Sequence, residues 1–380
     1  MKKYLRLFAL LAALSLVLAA CGGETDDTTT TGAPTDTEAP TDTEAPSDTE
    51  APTDTTEGDM GGEVKACQVT DTGGIDDKSF NQTAWKGVED AMADGLATSD
   101  SAFLESTSPS DYEPNINSFI EEGCDLVVTV GFFLGDATAA AAEANPDQLF
   151  ASIDFPYDPP IDNVAAAVFA TADAAFLSGY LAAGVTETGT IATYGGQQIP
   201  GAVTDFMDGF VWGARYYNEQ NGTEVEVLGW NPEDQTGTFT GDFEDLDNGR
   251  NVTQAFVDEG ADVILPVAGP VGEGSAALAQ EVGDVWVIGV DADWFQTLPE
   301  YSEVILTSVL KGMDVAVYEV IRSVSEGTFE GGTRVFTIAE NGVGLGPIAE
   351  GVDSALVSEI EEIRAALQDG SLVASDLGEG

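Results

Sequence analysis

The sequence predicts an α/β protein with two Rossmann-like lobes joined by a hinge. Three observations lead there. From Glu63 onward, short apolar, β-branched runs alternate with helical stretches, the pattern of a parallel sheet with right-handed crossovers. After Phe169 the pattern starts again and runs for about the same length. A short βαβα tail then lets the chain cross between the lobes more than once, and two lobes joined in that way close on a ligand by hinge motion.

The chain in order justifies each part. Residues 1–20 read as a signal peptide: Met-Lys-Lys-Tyr-Leu-Arg, then an apolar run from Leu7 to Ala20. That run is too short and too near the terminus to span a bilayer. It ends Leu18-Ala19-Ala20-Cys21-Gly22, which resembles the bacterial lipobox. The resemblance implies cleavage before Cys21, acylation of its sulfur and amine, and a lipid hold on the cell membrane at its extracytoplasmic face. Residues 21–62 carry that cysteine and a linker. Ala-Pro-Thr-Asp-Thr-Glu starts at Ala33 and Ala39, with variants at Ala45 and Ala51. Proline and like charges oppose compaction, so this segment reads as an extended, solvated tether.

The folded part is expected over 63–380. Strands are predicted at Lys65–Thr70, near Ala102–Ser106, and at Asp125–Val130, Gln148–Ile153 and Asn163–Phe169. Helices between them start at Asn81, around Ile116 and in the Ala-rich stretch up to Asn145, where Pro146 marks the stop. The second series has strands at Gly189–Tyr194, Glu224–Gly229, Ala261–Val267 and Val285–Val290. Its helices are expected at Ala174–Gly184, Val203–Asn218 and Gly249–Gly260. The tail offers strand Val304–Leu310, helix Met313–Val324, strand Arg334–Ile338 and helix Val352–Gln368. The first lobe should hold about 63–170 and 311–331, the second about 171–310 and 332–380.

Composition narrows the chemistry. There are 68 acids against 12 bases, a formal charge of −56. Three of the twelve bases (Lys2, Lys3, Arg6) lie in the leader, which leaves nine. Such a surface repels nucleic acid and anionic headgroups and disfavours a highly charged anion as ligand. Histidine is absent, which excludes Ser-His-Asp and Cys-His catalysis and His-ligated metal sites. No cofactor or metal is expected. Cys67 lies in the first strand and Cys124 just before the third. If those strands are neighbours, an exported protein could oxidise the pair; two separate buried thiols are the alternative.

The organising stretch is Val69-Thr-Asp-Thr-Gly-Gly-Ile-Asp-Asp-Lys-Ser-Phe-Asn-Gln82. It runs from strand through polar loop to helix, at the carboxyl sheet edge where open α/β folds bind ligands. With Val128-Thr-Val-Gly-Phe132, Ala175–Gly184, Pro200–Phe210, Gly289-Val-Asp291 and Leu306–Lys311, it resembles the BMP family of bacterial substrate-binding lipoproteins, also called PnrA-like nucleoside receptors. The resemblance covers about residue 63 to the end. It implies a type I periplasmic-binding-protein fold, no enzymatic activity, and delivery of nucleosides, mostly purine, to ABC transporter permease subunits.

The same resemblance assigns site residues. Phe80 matches the stacking aromatic of the first lobe, and Phe243 in Thr240-Gly-Asp-Phe243 looks like its partner. The family often shows Ser where Asp242 stands here. Asp71 and Asn81 resemble the polar contacts of the first loop. Asp291 matches the ribose-binding aspartate and Lys311 the cleft lysine, expected to pair with Asp291. Asp154 ends a strand that faces the cleft. Gly269 and Gly272, in the loop Ala268–Ser275, are expected to let backbone N–H groups approach a ligand. That loop lacks the dinucleotide glycine order, and Glu273 would repel phosphate, so a neutral ligand is favoured. Asp76, Asp77 and Lys78 are assigned to loop and helix-start roles, and Asp205 and Asp208 to capping or orienting a helix. Competing readings are a receptor for a sugar or other polar metabolite, a membrane-tethered sensor, and a Rossmann-like dehydrogenase or nucleoside hydrolase.

Overall fold

The computed structural model describes residues 62–377. The leader, Cys21 and the repeat-bearing linker lie outside the described residues.

The first series runs β1 (Ala66–Val69), α1 (Phe80–Ala93), β2 (Ala102–Leu104), α2 (Tyr112–Glu121), β3 (Leu126–Val130), α3 (Gly135–Ala144), β4 (Leu149–Ile153) and β5 (Val164–Phe169). The second runs α4 (Thr171–Val185), β6 (Thr190–Gly195), α5 (Thr204–Asn221), β7 (Glu226–Leu228), β8 (Trp230–Asn231) and β9 (Thr236–Gly237). It continues α6 (Leu246–Asp258), β10 (Val263–Val267), α7 (Gly272–Val282), β11 (Trp286–Asp291), α8 (Trp294–Thr297) and β12 (Ile305–Lys311). The tail is α9 (Met313–Ser325), β13 (Gly332–Phe336), β14 (Val343–Leu345) and α10 (Ser354–Asp369).

Two six-stranded sheets result, in the orders β13-β5-β4-β3-β1-β2 and β14-β12-β11-β10-β6-β7. All neighbours are parallel except β14, which runs antiparallel to β12. In each sheet the strand order reverses beside the first strand of its series, β1 against β3 and β6 against β10. Such a switch point leaves a crevice at the carboxyl ends of the strands, where ligands bind in open α/β sheets. Buried central strands such as β3 and β10 read as continuous apolar runs because helices cover both faces.

The tail corrects one boundary. The expectation placed 332–380 in the second lobe, yet β13 pairs with β5 from Gly332↔Ala165 to Phe336↔Phe169, so the first lobe extends to Phe336. A short strand of this composition suits the edge of either sheet, and only pairing chooses. The chain therefore passes between the lobes after β5, after β12 and after β13.

α4 is apolar on all sides because it is enclosed: Phe176, Leu177 and Leu181 are fully buried. Its crossing with α5 brings backbones together. A Cβ at Gly179 would lie 2.0 Å from the Phe210 carbonyl oxygen, and one at Gly213 2.0 Å from that of Phe176. Cys67 and Cys124 form a disulfide, tying β1 to the turn that enters its neighbour β3.

Candidate functional site

The loops at the carboxyl ends of both sheets face each other across a narrow cavity with about 70 Å³ open to water-sized molecules. The first lobe contributes Asp71, Gly73, Asp77, Phe80, Asn81, Phe132, Phe133 and Asp154. The second contributes Ile199, Phe206, Phe243, Gly269, Pro270, Asp291 and Lys311.

The first wall is built by the start of α1. Asp77 accepts the backbone N–H groups of Ser79, Asn81 and Gln82 at 3.1, 2.7 and 3.1 Å. It thereby satisfies donors that a helix N-terminus leaves unpaired. Asn81 spends both amide hydrogens on carboxylates, Asp71 at 2.7 Å and Asp77 at 3.1 Å. It holds Asp71 in place and keeps only acceptor capacity for a ligand. Asp71 also accepts from the Gly73 N–H at 3.1 Å through the same oxygen, Oδ1. Gly131 (φ +119°) ends β3 against it: a Cβ there would sit 2.9 Å from Asp71 Oδ2. Phe80, the first residue of α1, is set by this capped turn and lines the cavity half-buried.

The second wall depends on Gly195 and Gly196. The N–H groups of Thr240 and Gly241 donate to their carbonyls at 3.0 and 2.8 Å, laying the 238–243 loop along the end of β6. A Cβ at Gly196 would lie 2.3 Å from the Phe243 ring, so glycine is what leaves room for that aromatic. Asp242 explains itself: it accepts from the backbone of Glu244 and Asp245 at 2.9 and 2.8 Å and from Asn248 at 2.8 Å. It fixes the turn into α6 and is not itself among the cavity-lining residues.

The strand ends supply the charges. Asp154 (φ +70°) follows β4, and Asp291 (φ +68°) ends β11; left-handed aspartates are strained positions of the kind that gather at functional sites. Lys311, the last residue of β12, is 2% exposed and ion-paired with Asp154 across the lobes. Its direct partner is thus Asp154 and not, as expected, Asp291, whose Oδ2 instead accepts from the Ser79 hydroxyl at 2.8 Å. Either aspartate is within the reach of a lysine at that strand end, and the closed arrangement of the lobes selects one. The Lys311 ammonium also lies 5.1 Å from the Phe80 ring centroid, 5.2 Å from Phe169 and 5.8 Å from Phe206, distances at which aromatic faces attract a cation.

Burial raises the carboxyl groups of Asp154 and Asp291 above the ordinary carboxylate value, while the Lys311 charge pulls both down. Burial also raises Asp71, and pushes Asp77 up to about 7 against the pull of its three amides. One cation thus serves four acids, an environment suited to a neutral, donor-rich ligand and hostile to phosphate.

The cavity therefore gathers Asp71, Phe80, Asn81, Asp154, Phe243, Gly269, Asp291 and Lys311. Gly272 is not among its lining residues. It is the first residue of α7, and a Cβ there would lie 2.7 Å from Trp294, so its small size serves packing. Asp208 accepts from Trp230 Nε1 at 2.7 Å and from Gln235 at 3.0 Å, holding the β8–β9 hairpin. Phe132, Phe133 and Phe206, which are not among the expected site residues, also line the cavity. Phe206 lies inside the Pro200–Phe210 stretch, and its spacing looks like any helical core position.

Among the described residues, no helix is long and apolar enough to cross a membrane. Residues 64–368 match the family described as ABC transporter substrate-binding protein PnrA-like. The chain is 33% identical over 331 residues to the ABC transporter nucleoside-binding protein BmpA of Lactococcus lactis, covering 82% of this chain and 87% of that one. It is 31% identical over 292 residues to an uncharacterized lipoprotein of Pyrococcus abyssi, covering 74% and 69% of the two chains. A solved ABC transporter solute-binding protein from Aeropyrum pernix is similar at a TM-score of 0.70 and 27% identity, over 81% of this chain and 92% of that one. The chain belongs to the PnrA-like (Bmp) family of ABC transporter substrate-binding proteins.

Proposed function

We propose that the protein captures a purine nucleoside outside the cytoplasm, between its two lobes, and presents it to the permease of an ABC transporter while lipid on Cys21 holds it to the membrane. It acts as a receptor and catalyses nothing. The observation that carries this reading is a single cavity lined by Phe80 from one lobe and Phe243 from the other, together with Asp71, Asp154, Asp291 and Lys311. Flat aromatic surface suits a base, and carboxylates suit base N–H and ribose hydroxyl donors. The surplus of acids over Lys311 disfavours a phosphorylated ligand. The name of the Lactococcus relative supports the nucleoside, and that of the Pyrococcus relative supports the lipid anchor.

Calorimetric titration with inosine, guanosine, adenine, ribose and AMP tests this. The nucleosides should bind, adenine and ribose more weakly, and AMP not measurably. Tight binding of ribose without binding of any nucleoside would move the assignment to a sugar receptor.

A further inference from the structure

The tripeptide Lys78-Ser79-Phe80 divides its labour. Phe80 lines the cavity, whereas Lys78 and Ser79 are not among its lining residues and instead bridge the lobes. Lys78 Nζ lies 3.4 Å from Glu273 Oε2 and 3.7 Å from Glu300 Oε1. Glu273 is in the first turn of α7, and Glu300 is in the turn after α8. Ser79 donates to Asp291. Lys78 itself has φ +55°, the left-handed region, in a residue that is not glycine; such a conformation persists where its surroundings over-determine it. The Lys311–Asp154 pair bridges in the opposite sense, from second lobe to first. In a chain with so few bases, closure without Lys78 would press Glu273 and Glu300 of the second lobe against the first lobe's rim with no cation between them.

We propose that Lys78 is a closure latch: it sets how long a ligand stays in the cavity without touching it, by neutralising two glutamates of the opposite lobe only when the lobes are shut. This rests on the cavity being the ligand site. Because only Ser79 separates the latch from Phe80 in the cavity wall, movement of the Lys78 backbone is transmitted to Phe80. The pairs are partly solvated, so each contributes modestly, and removing both should speed ligand release by about three- to tenfold with little change in association. The effect should fade at about 0.5 M salt, where charges are screened within roughly 4 Å.

The test uses the full chain carrying spin labels on non-natural residues at the exposed positions Ser110 and Gln220, one per lobe. Lys78→Gln, Lys78→Glu, and Lys78→Glu combined with Glu273→Lys are compared, with and without inosine. Lys78→Glu should populate longer interlobe distances without ligand and release inosine faster, Lys78→Gln should do so less, and the added Glu273→Lys should restore both. An unchanged distance distribution in Lys78→Glu overturns the latch even where inosine binds. A shifted distribution in a protein that binds no nucleoside supports the latch and overturns the ligand reading instead.

Discussion

Replacing Lys311 by methionine keeps the length of the side chain and removes its charge. Lys311 and Asp154 are 2% and 8% exposed, and their ion pair crosses the lobes. Removing one partner of a buried pair costs roughly 3–5 kcal/mol, because the other charge is left in a poorly solvated site. Here parting of the lobes admits water to Asp154, which places the expected loss near the lower figure, about 3 kcal/mol at pH 8. The pH dependence has a definite sign. Asp154 and Asp291 already sit above the unfolded carboxylate value of 3.8, and Lys311 is what draws them down. Without it both rise further. The folded state then binds protons more tightly than the unfolded chain, so stability present below pH 3.8 is lost as pH climbs through the raised folded values. The deficit should be large at pH 8 and shrink toward pH 5. Adding Asp154→Asn removes the stranded charge and should recover more than half of the loss. Urea unfolding followed by tryptophan fluorescence, at both pH values, measures all three proteins. A Lys311→Met protein within about 1 kcal/mol of wild type at pH 8, or a deficit equal at the two pH values, would refute the reasoning.

Phe80→Ala should weaken inosine binding by about 1–3 kcal/mol in calorimetry, the usual worth of one base-stacking aromatic. Asp291→Ala should weaken nucleoside binding far more than free-base binding if the carboxylate takes the ribose; equal losses would remove that role. Gly179→Ala forces a Cβ to within 2.0 Å of the Phe210 carbonyl oxygen and should destabilise by roughly 1–3 kcal/mol or more. Gly344→Ala, with nothing within 4 Å of its Cβ, serves as the tolerant control. The Cys67–Cys124 disulfide spans 57 residues, so reduction, or replacement of both cysteines by serine, should lower unfolding stability by about 2–4 kcal/mol. Equal urea midpoints for the two forms would count against it.

Most elements were legible because burial imposes period and composition locally. β3 needed only its run of five apolar and β-branched residues, and α4 only its length and its lack of charge after Asp173. Two elements depart from the expected pattern, each for a specific reason. α6 starts at Leu246, three residues before the expected Gly249, because Asp245 caps it by accepting from the Asp247 N–H at 3.0 Å. Asp before an apolar residue is an N-cap signal. β14 is three residues long with a glycine in the middle, and it exists only because β12 offers an open edge. The glycines divide similarly. Gly269 and Gly272 lie three residues apart in one segment, yet only the first lines the cavity, since the side that each presents depends on where α7 begins.

By itself, the sequence determined which residues stand at strand ends. Strand–loop–helix order puts Asp71, Asp154, Asp291 and Lys311 at carboxyl edges whatever the lobes then do. What only the tertiary structure decided is who meets whom. Lys311 takes Asp154, 157 positions away, Ser79 takes Asp291, 212 positions away, and β13 takes β5. Local propensity acts over a few residues. A lysine near two aspartates, or a short strand near two sheet edges, is equally content with either until the two sheets pack and one distance becomes the shorter.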